Sequence, residues 1–339
     1  MNKIIRSICY FSRQPNTSEV MRNLCSIEKM VINAGYEIQT KRLCAPVSVK
    51  EIDSLDLNGI LLSVGTLEKQ QIQCQFEDFL NTKNIFFNTE LYGANKIDEY
   101  FIDLLFEIIK RNASKTFNFT YVFNNRKSSP FFPSSAYYQN GFSIGLQTPD
   151  LAENCKSLYS WFHKTRKCWL EINALFGFEP DFLGIDSSVA SLFSGKSSFI
   201  NFVNRLFPDT QFPYTTTTDF YLKITNFLKE QNPKPVGLCG IMFPCVEDFQ
   251  LAEAYEKNEF SIERNIFLSL HSGLGIDVYP IGINEEKERV LEILSLLKGL
   301  SEKYDKPLAA RFVSDGKAKV GQKTNFKNQY LKDVVIKPL

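Results

Sequence analysis

Four carboxylates lie in or directly after apolar segments of the sequence, where an enzyme could use them. Asp186 ends the apolar run 182–185, Glu247 and Asp248 follow a second run, and Asp277 lies inside a third. Ligand sites in parallel α/β sheets form at the carboxyl ends of strands. Asp186 and the Glu247–Asp248 pair fit that rule better than Asp277. We take all four as candidate catalytic residues. The alternative for Glu247 and Asp248 is that they are first-turn helix acids.

Arg311 is the fifth candidate catalytic residue, because it is a charge within the apolar segment 308–313. A buried arginine usually pairs with a carboxylate or a bound anion. Two kinds of chemistry follow. In one, a carboxylate with a raised pKa is a general acid while Arg311 holds an anionic substrate. In the other, Asp186, Glu247 and Asp277 bind a divalent cation, and their oxygen ligands suit Mg²⁺, Ca²⁺ or Mn²⁺ rather than Zn²⁺.

Two glycine-containing segments look like nucleotide sites but lack essential residues. Residues 190–197 nearly fit a phosphate-binding loop, yet Ala190 stands where the first glycine is required. An ordinary helix start is the favoured interpretation, and a weaker anion site at that helix remains the alternative. Gly273 and Gly275 precede a predicted strand instead of following one, so they do not form a dinucleotide fingerprint. We therefore expect no NAD.

Histidine offers little for metal binding or nucleophilic catalysis. The chain has only His163 and His271, and neither has a histidine or paired-cysteine partner at zinc-ligand spacing. No nucleophile elbow of the G-x-S-x-G type is present. We expect no structural zinc, no haem and no serine triad.

Composition restricts the partners of the protein. The 339 residues carry 39 basic and 38 acidic side chains, a net charge of +1. Such a balance favours neither nucleic acid nor an anionic membrane. The N-terminus lacks a secretory pattern, and no stretch is apolar enough to span a bilayer. The eight cysteines are scattered, so we expect reduced thiols in the cytoplasm. Cys239 and Cys245 are the candidate pocket thiols.

Strands alternate with helices along the chain, which predicts a mainly parallel α/β sheet. The predicted strands are 2–11, 36–43, 59–64, 84–87, 117–123, 142–146, 181–186, 236–243, 275–281, 307–313 and 330–336. The predicted helices are one that begins near Thr17 and stops at Gly35, followed by 66–83, 97–110, 150–176, 197–206, 216–230, 247–257, 261–271 and 284–304.

Residues 124–141 are the longest irregular stretch and are rich in Asn, Ser and Pro. We expect a single α/β domain over 1–339, in which this loop joins possible lobes at 1–123 and 142–339. Long loops of this kind are often functional. We predict that it covers or borders the pocket, with Phe131 and Phe132 as apolar anchors. An interface loop in a homo-oligomer is the alternative.

Several of these segments together resemble an uncharacterised family, the domain of unknown function 711. The matching segments occur in family order: 129–134 with the following strand at 142–146, 184–190 (G-I-D-S-S-V-A), 240–248 (G-I-M-F-P-C-V-E-D), 272–277 (S-G-L-G-I-D) and 307–311 (P-L-A-A-R). Together they span about 120 to 337, whereas the first 115 residues match only loosely.

The resemblance implies a fold similar to the pyruvate formate-lyase group: a barrel of two parallel half-sheets wrapped by helices. An open doubly wound α/β sheet is the runner-up. Ser272 stands where the family commonly has cysteine, and Ser187 and Ser191 also depart from its pattern. Residues 328–339 contain no glycine, so we expect no glycyl-radical chemistry. The candidate substrate-binding residues are Phe131, Phe132, Ser187, Ser272 and Cys245.

The sequence favours an enzyme of unknown reaction that acts on a small polar metabolite in a carboxylate-lined pocket at strand ends. The alternative is a non-catalytic ligand-binding or assembly protein on the same scaffold. The expected partner is a small molecule, with a homo-oligomer left open.

Overall fold

A mixed β-sheet forms the centre of the computed structural model, which describes residues 3–93 and 96–339. Within those residues the sheet has nine strands in the order β7-β6-β1-β2-β3-β4-β5-β9-β8. The strands are β1 (Lys3–Phe11), β2 (Tyr36–Cys44), β3 (Ile60–Thr66), β4 (Ile85–Glu90), β5 (Phe119–Phe123), β6 (Gly141–Leu146), β7 (Phe182–Asp186), β8 (Gly275–Pro280) and β9 (Leu308–Val313). The α/β class is confirmed, but the ladders do not close the sheet. Asn2, predicted to begin β1, lies outside the described residues.

Eleven α-helices of the described residues connect or follow these strands. They are α1 (Thr17–Asn33), α2 (Val49–Asp53), α3 (Lys69–Asn81), α4 (Glu99–Asn112), α5 (Leu158–Phe176), α6 (Phe199–Leu206), α7 (Phe212–Thr215), α8 (Phe220–Glu230), α9 (Phe249–Glu256), α10 (Ile262–His271) and α11 (Lys287–Tyr304). None of these helices combines the length and the apolarity needed to cross a membrane.

Strand direction follows from the connections. β1 to β5 run parallel to one another because helices carry the chain back between them. The second half then pairs antiparallel at both sides of this group, β6 with β1 and β9 with β5. β7 and β8 continue parallel to β6 and β9. The two halves therefore bring opposite strand ends to the same edge of the sheet.

Two predicted strands do not form, those at 236–243 and 330–336. In the first, Gly237 and Cys239 have positive φ angles of 74° and 49°, which interrupts an extended backbone. The segment 235–244 instead makes isolated parallel bridges, to Ile185 and Val189 on one side and to Gly273 and Asp277 on the other. It therefore lies between the continuations of β7 and β8. The second predicted strand keeps one bridge, between Lys323 and Val335.

The two faces of the sheet are covered differently. Helices pack on one face and form the large apolar cluster. Residues 124–140, which we name the inner loop, lie against the other face. Pro133 O and Ser135 O of this loop accept hydrogen bonds from Asn88 Nδ2, at 2.7 and 2.8 Å. Phe132 packs into a small second cluster together with Phe11 and other strand residues. Residues 128–136 of the inner loop are thus buried, whereas the ends of the loop reach the surface.

Candidate functional site

A cavity of about 720 Å³ lies on the face of the sheet that carries the inner loop. Side chains in a strand point alternately to the two faces, so every second residue reaches this space. Thr40 and Arg42 do so from β2, and Ala309 and Arg311 from β9. The apolar part of the lining includes Leu61, Phe86, Phe117, Phe131, Phe132, Met242 and Leu274. The cavity therefore combines an apolar wall with buried charges.

Glu247 lies between two guanidinium groups in this cavity. Its Oε1 accepts a hydrogen bond from Arg6 Nη2 at 3.1 Å, and its Oε2 accepts one from Arg311 Nη2 at 3.4 Å. Arg311 also donates from Nε to Asp277 Oδ1 at 2.8 Å. The side chains of Glu247 and Arg311 are only 7% and 8% exposed. Three of the five candidate catalytic residues, Glu247, Asp277 and Arg311, are therefore brought together.

Burial governs the protonation of this cluster. Burial raises the pKa of Glu247, although the positive charges of Arg311 and Arg6 oppose that rise. Burial also lowers the pKa of Arg6, and the carboxylate of Glu247 opposes that fall. A carboxylate with a raised pKa is a stronger base than that of a free glutamate. Burial and the two guanidinium groups therefore act in opposite directions on the charge of Glu247.

Arg42 is a third buried guanidinium of the cavity. Its Nε donates to Thr40 Oγ1 at 3.0 Å, and its guanidinium carbon lies 5.1 Å from the centre of the Phe132 ring. Within the described part of the chain no carboxylate lies within 4 Å of its nitrogens. Burial lowers the pKa of Arg42, and the charge of Arg6 lowers it further. The Arg42 charge is thus buried without an anionic partner.

The inner loop supplies part of the cavity wall. Phe131 and Phe132 both line the cavity and are 4% and 8% exposed. Ser129 Oγ accepts a hydrogen bond from the backbone N–H of Phe131 at 3.2 Å, which helps to fix the loop there. The loop therefore borders the cavity with its two phenylalanines.

Asp186 does not line the cavity, and this corrects its assignment as a pocket residue. The carboxylate is fully buried and accepts five hydrogen bonds from protein groups. The donors are Ser129 Oγ at 2.7 Å, Ser188 Oγ at 2.6 Å, and the backbone N–H groups of Ser188, Leu238 and Cys239 at 3.0 to 3.1 Å. Because its oxygens are occupied, Asp186 joins three chain segments instead of facing a substrate.

The predicted divalent cation site of Asp186, Glu247 and Asp277 is therefore not formed. Among residues 3–93 and 96–339, no group of three or more His, Cys, Asp or Glu side chains could hold a metal ion. Glu247 and Asp277 are instead bridged by Arg311. A guanidinium between the two carboxylates offsets the repulsion that a cation was expected to relieve.

Asp248 is the N-cap of α9, one position before the first helical turn in which the alternative of the sequence analysis placed it. Its carboxylate accepts from the backbone N–H groups of Gln250 and Leu251 at the start of α9. It also accepts from Phe199 N–H at the start of α6 and from Ser198 Oγ. One buried carboxylate thus holds two helix N-termini together, which explains its position in the sequence without a catalytic role.

Three predicted substrate-binding residues lie outside the cavity lining. Ser187 Oγ donates to Leu228 O at 2.9 Å, and Ser272 Oγ lies 2.8 Å from His271 Nδ1. Cys245 is fully buried, and burial raises the pKa of its thiol well above the usual value. Cys239 is likewise buried and does not line the cavity. All eight cysteines are free thiols.

The sequence analysis missed Arg6, Arg42 and Lys115, which all line the cavity. Arg6 and Arg42 are charges within the strands β1 and β2. The rule that singled out Arg311 therefore applied to them as well. Lys115 is buried in a 3₁₀ turn before β5 and donates to Thr82 Oγ1 at 3.1 Å. No sequence pattern marks that lysine.

Comparison with known proteins identifies one family. The sequence model of the family described as "Uncharacterised ACR (DUF711)" matches residues 101–327, about two thirds of the chain. No curated protein matches the chain. The matched region includes Glu247, Asp277 and Arg311, whereas Arg6 and Arg42 lie before it.

Proposed function

The chain belongs to the uncharacterised DUF711 family, whose description states no activity, so we propose a function from the cavity itself. We propose that the protein is an enzyme acting on a small polar metabolite, with Glu247 as its acid–base group. The observation that carries the proposal is the buried Glu247 carboxylate, held by Arg6 and Arg311 at the wall of a 720 Å³ cavity. Cavities of 300–1,000 Å³ with a few convergent polar groups are typical of metabolite sites.

The proposed roles follow from the contacts. Glu247 accepts a proton from the substrate or returns one to it, because burial disfavours its charged form. Arg311 stabilises the carboxylate when it forms, and Asp277 keeps Arg311 in place through the 2.8 Å bond to its Nε. Arg6 contacts the second oxygen of Glu247, so the carboxyl plane is fixed from both sides.

The test compares turnover by the wild-type protein and the variants Glu247→Gln and Glu37→Gln. Glu37 is the matched control, an exposed glutamate on β2 that does not line the cavity. Each protein is incubated with a metabolite extract, and mass spectrometry follows which compounds are consumed. We expect a compound that the wild type and Glu37→Gln consume at similar rates, and that Glu247→Gln consumes at least 100-fold more slowly, the lower range for general acid–base catalysis. Equal consumption by Glu247→Gln would refute the proposal.

A non-catalytic ligand-binding protein is the second candidate. It is favoured by the pairing itself, because Arg311 bridges Glu247 and Asp277 as it would in a structural charge network. Under that alternative the wild type retains a metabolite from the same extract and releases it chemically unchanged. Retention without consumption would therefore favour binding over catalysis.

We also propose the barrel-like, pyruvate formate-lyase-like form of this fold. Supporting it, the segment 235–244 bridges the continuation of β7 on one side and that of β8 on the other. These are the two outer strands of the sheet order. The inner loop occupies the space that such a barrel would enclose. A cytoplasmic location and a homo-oligomeric state likewise remain proposals.

A further inference from the structure

The charges of the cavity do not cancel. Arg6, Arg42 and Arg311 contribute three guanidinium groups and Lys83 and Lys115 two ammonium groups, whereas Glu247 and Asp277 contribute two carboxylates. Both carboxylates are occupied by Arg6 and Arg311, at 2.8 to 3.4 Å. Arg42 makes one side-chain hydrogen bond, to a neutral hydroxyl. The cavity therefore holds an excess of positive charge, and Arg42 is its guanidinium without a carboxylate partner among the described residues.

An unpaired buried guanidinium is costly to the folded protein. Arginine stays protonated at any physiological pH, so it cannot avoid the cost by losing its charge. Burying an ion without a counter-charge destabilises the folded protein by roughly several kcal/mol. Replacing Arg42 by an apolar residue would thus stabilise the protein without its ligand. A bound anion would offset the cost of keeping the arginine. Fixing the guanidinium over the Phe132 ring further orients it for planar recognition.

The apolar residues around Arg42 indicate the chemistry of the remainder of the ligand. Leu61 and Phe86 come from β3 and β4, and Phe131 and Phe132 come from the inner loop; all four line the cavity. A bare inorganic ion would leave most of the 720 Å³ and this apolar wall unused. A ligand with an apolar body would remove that wall from water, which favours binding.

We infer that the ligand of the cavity is an organic anion, with an oxyanion group bound by Arg42 and an apolar body against the phenylalanine-lined wall. The inference names the substrate class of the proposed function and rests on the cavity being its ligand site. A carboxylate and a phosphate ester share this chemistry, because a guanidinium binds either through two parallel hydrogen bonds.

Binding is measured calorimetrically with four probes: hexanoate, hexyl phosphate, hexanamide and inorganic phosphate. We expect hexanoate or hexyl phosphate to bind at least tenfold more tightly than hexanamide, and the better of the two to identify the oxyanion. Equal binding of hexanoate, hexyl phosphate and hexanamide, or no binding of either organic anion, would overturn the inference. Inorganic phosphate binding as tightly as hexyl phosphate would mean an adventitious ion only, and would also overturn it.

Variants test whether Arg42 is the residue that binds the anion. Arg42→Gln should weaken binding of the organic anion at least tenfold and leave hexanamide binding within twofold. Arg42→Lys keeps the charge without the planar guanidinium, so its affinity for the anion should fall between those of the wild type and Arg42→Gln. This variant also tests the assignment if Arg42→Gln does not fold. Arg22→Gln, at an exposed arginine of α1 away from the cavity, should bind like the wild type. Unchanged anion binding in both Arg42 variants would refute the assignment.

The same probes measured on Glu247→Gln separate this inference from the proposed function. Anion binding should persist or tighten in that variant, because a repelling carboxylate has become neutral. Anion binding by a wild-type protein that consumes no metabolite would refute catalysis and keep the anion site. Turnover that depends on Glu247 but not on Arg42, with neutral and anionic probes bound equally, would refute the anion site and keep catalysis.

Discussion

Replacing Asp186 by asparagine is expected to destabilise the fold, because the carboxylate joins three chain segments. Its Oδ1 accepts from Ser188 Oγ and from the backbone N–H groups of Ser188 and Cys239. Its Oδ2 accepts from Ser129 Oγ and from Leu238 N–H. The segments thus tied together are the inner loop, the residues after β7 and the turn at 237–239. An amide offers one accepting atom where the carboxylate offers two.

The magnitude follows from counting those donors. The amide NH₂ of the variant would best replace Oδ2, because the Ser129 hydroxyl can rotate and accept while Leu238 N–H cannot. One buried N–H is then unsatisfied, at a cost of about 1–3 kcal/mol. The other bonds lose the assistance of a charged acceptor, at roughly 1 kcal/mol each. Relief from burying a charge offsets part of this sum. We expect a net loss of about 3 kcal/mol in the free energy of unfolding.

Urea unfolding, followed by the fluorescence of the buried Trp161 and Trp169, measures this loss. With a slope of about 3 kcal/mol per molar urea, the midpoint should fall by about 1 M. Asp209→Asn is the control, at an exposed aspartate that makes no side-chain hydrogen bond within the described residues. A midpoint within about 0.2 M of the wild type would refute the structural role. If that stable variant also lost turnover, Asp186 would return as a candidate catalytic residue.

Two further predictions concern Asp248 and Lys115. Asp248→Ala removes the shared cap of α6 and α9 and leaves several buried N–H groups unsatisfied. Urea unfolding should show a loss of about 4 kcal/mol in the free energy of unfolding, against about 1 kcal/mol for Ser261→Ala, which removes a single cap. A loss equal to that of Ser261→Ala would contradict the double cap. Burial lowers the pKa of Lys115 to about 8, below its unfolded value of 10.5. Between these two pH values the unfolded chain binds more protons than the folded protein, so this group makes the free energy of unfolding rise with pH across that window. Relative to Lys115→Met, the wild type should gain up to about 3 kcal/mol between pH 7 and pH 10, and a difference independent of pH would refute the shift.

The alternation of elements was predictable because the apolar period is visible in single segments. In α1, for example, Val20, Leu24, Ile27 and Val31 are buried at helical spacing, and Asn16 caps the helix through Glu19 N–H. The helix predicted from residue 150 begins only at Leu158, because 148–152 form a 3₁₀ turn that contains a proline. The failed strand at 236–243 has a comparable cause. Its composition suits a strand, but Asp186 holds the N–H groups of 238 and 239 in a turn.

The site was predictable only in part. The order of the strands in the sheet decides on which face a charged side chain lies and which partner it contacts. Asp186 and Glu247 both follow apolar runs, and nothing in the sequence distinguishes them. The structure does so by placing Ser129, from a loop 57 residues earlier, against Asp186. Arg6 reaches Glu247 across 241 residues of sequence. Such contacts arise only once the antiparallel pairing of β1 with β6 has brought the halves together.

That pairing also explains why a charged cavity can exist in so apolar a sheet. A charge on a strand that is buried on both faces is costly unless a counter-charge arrives from another part of the chain. β9 and β8 supply Arg311 and Asp277 from the second half, and β1 and β2 supply Arg6 and Arg42 from the first. Arg6 and Arg311 pair with the two carboxylates of the cavity, and Arg42 has no carboxylate partner among the described residues. A chain selected for stability alone would have replaced that arginine by an apolar residue. Its presence beside Phe132 therefore argues that the inner loop and the first two strands are built around an anion.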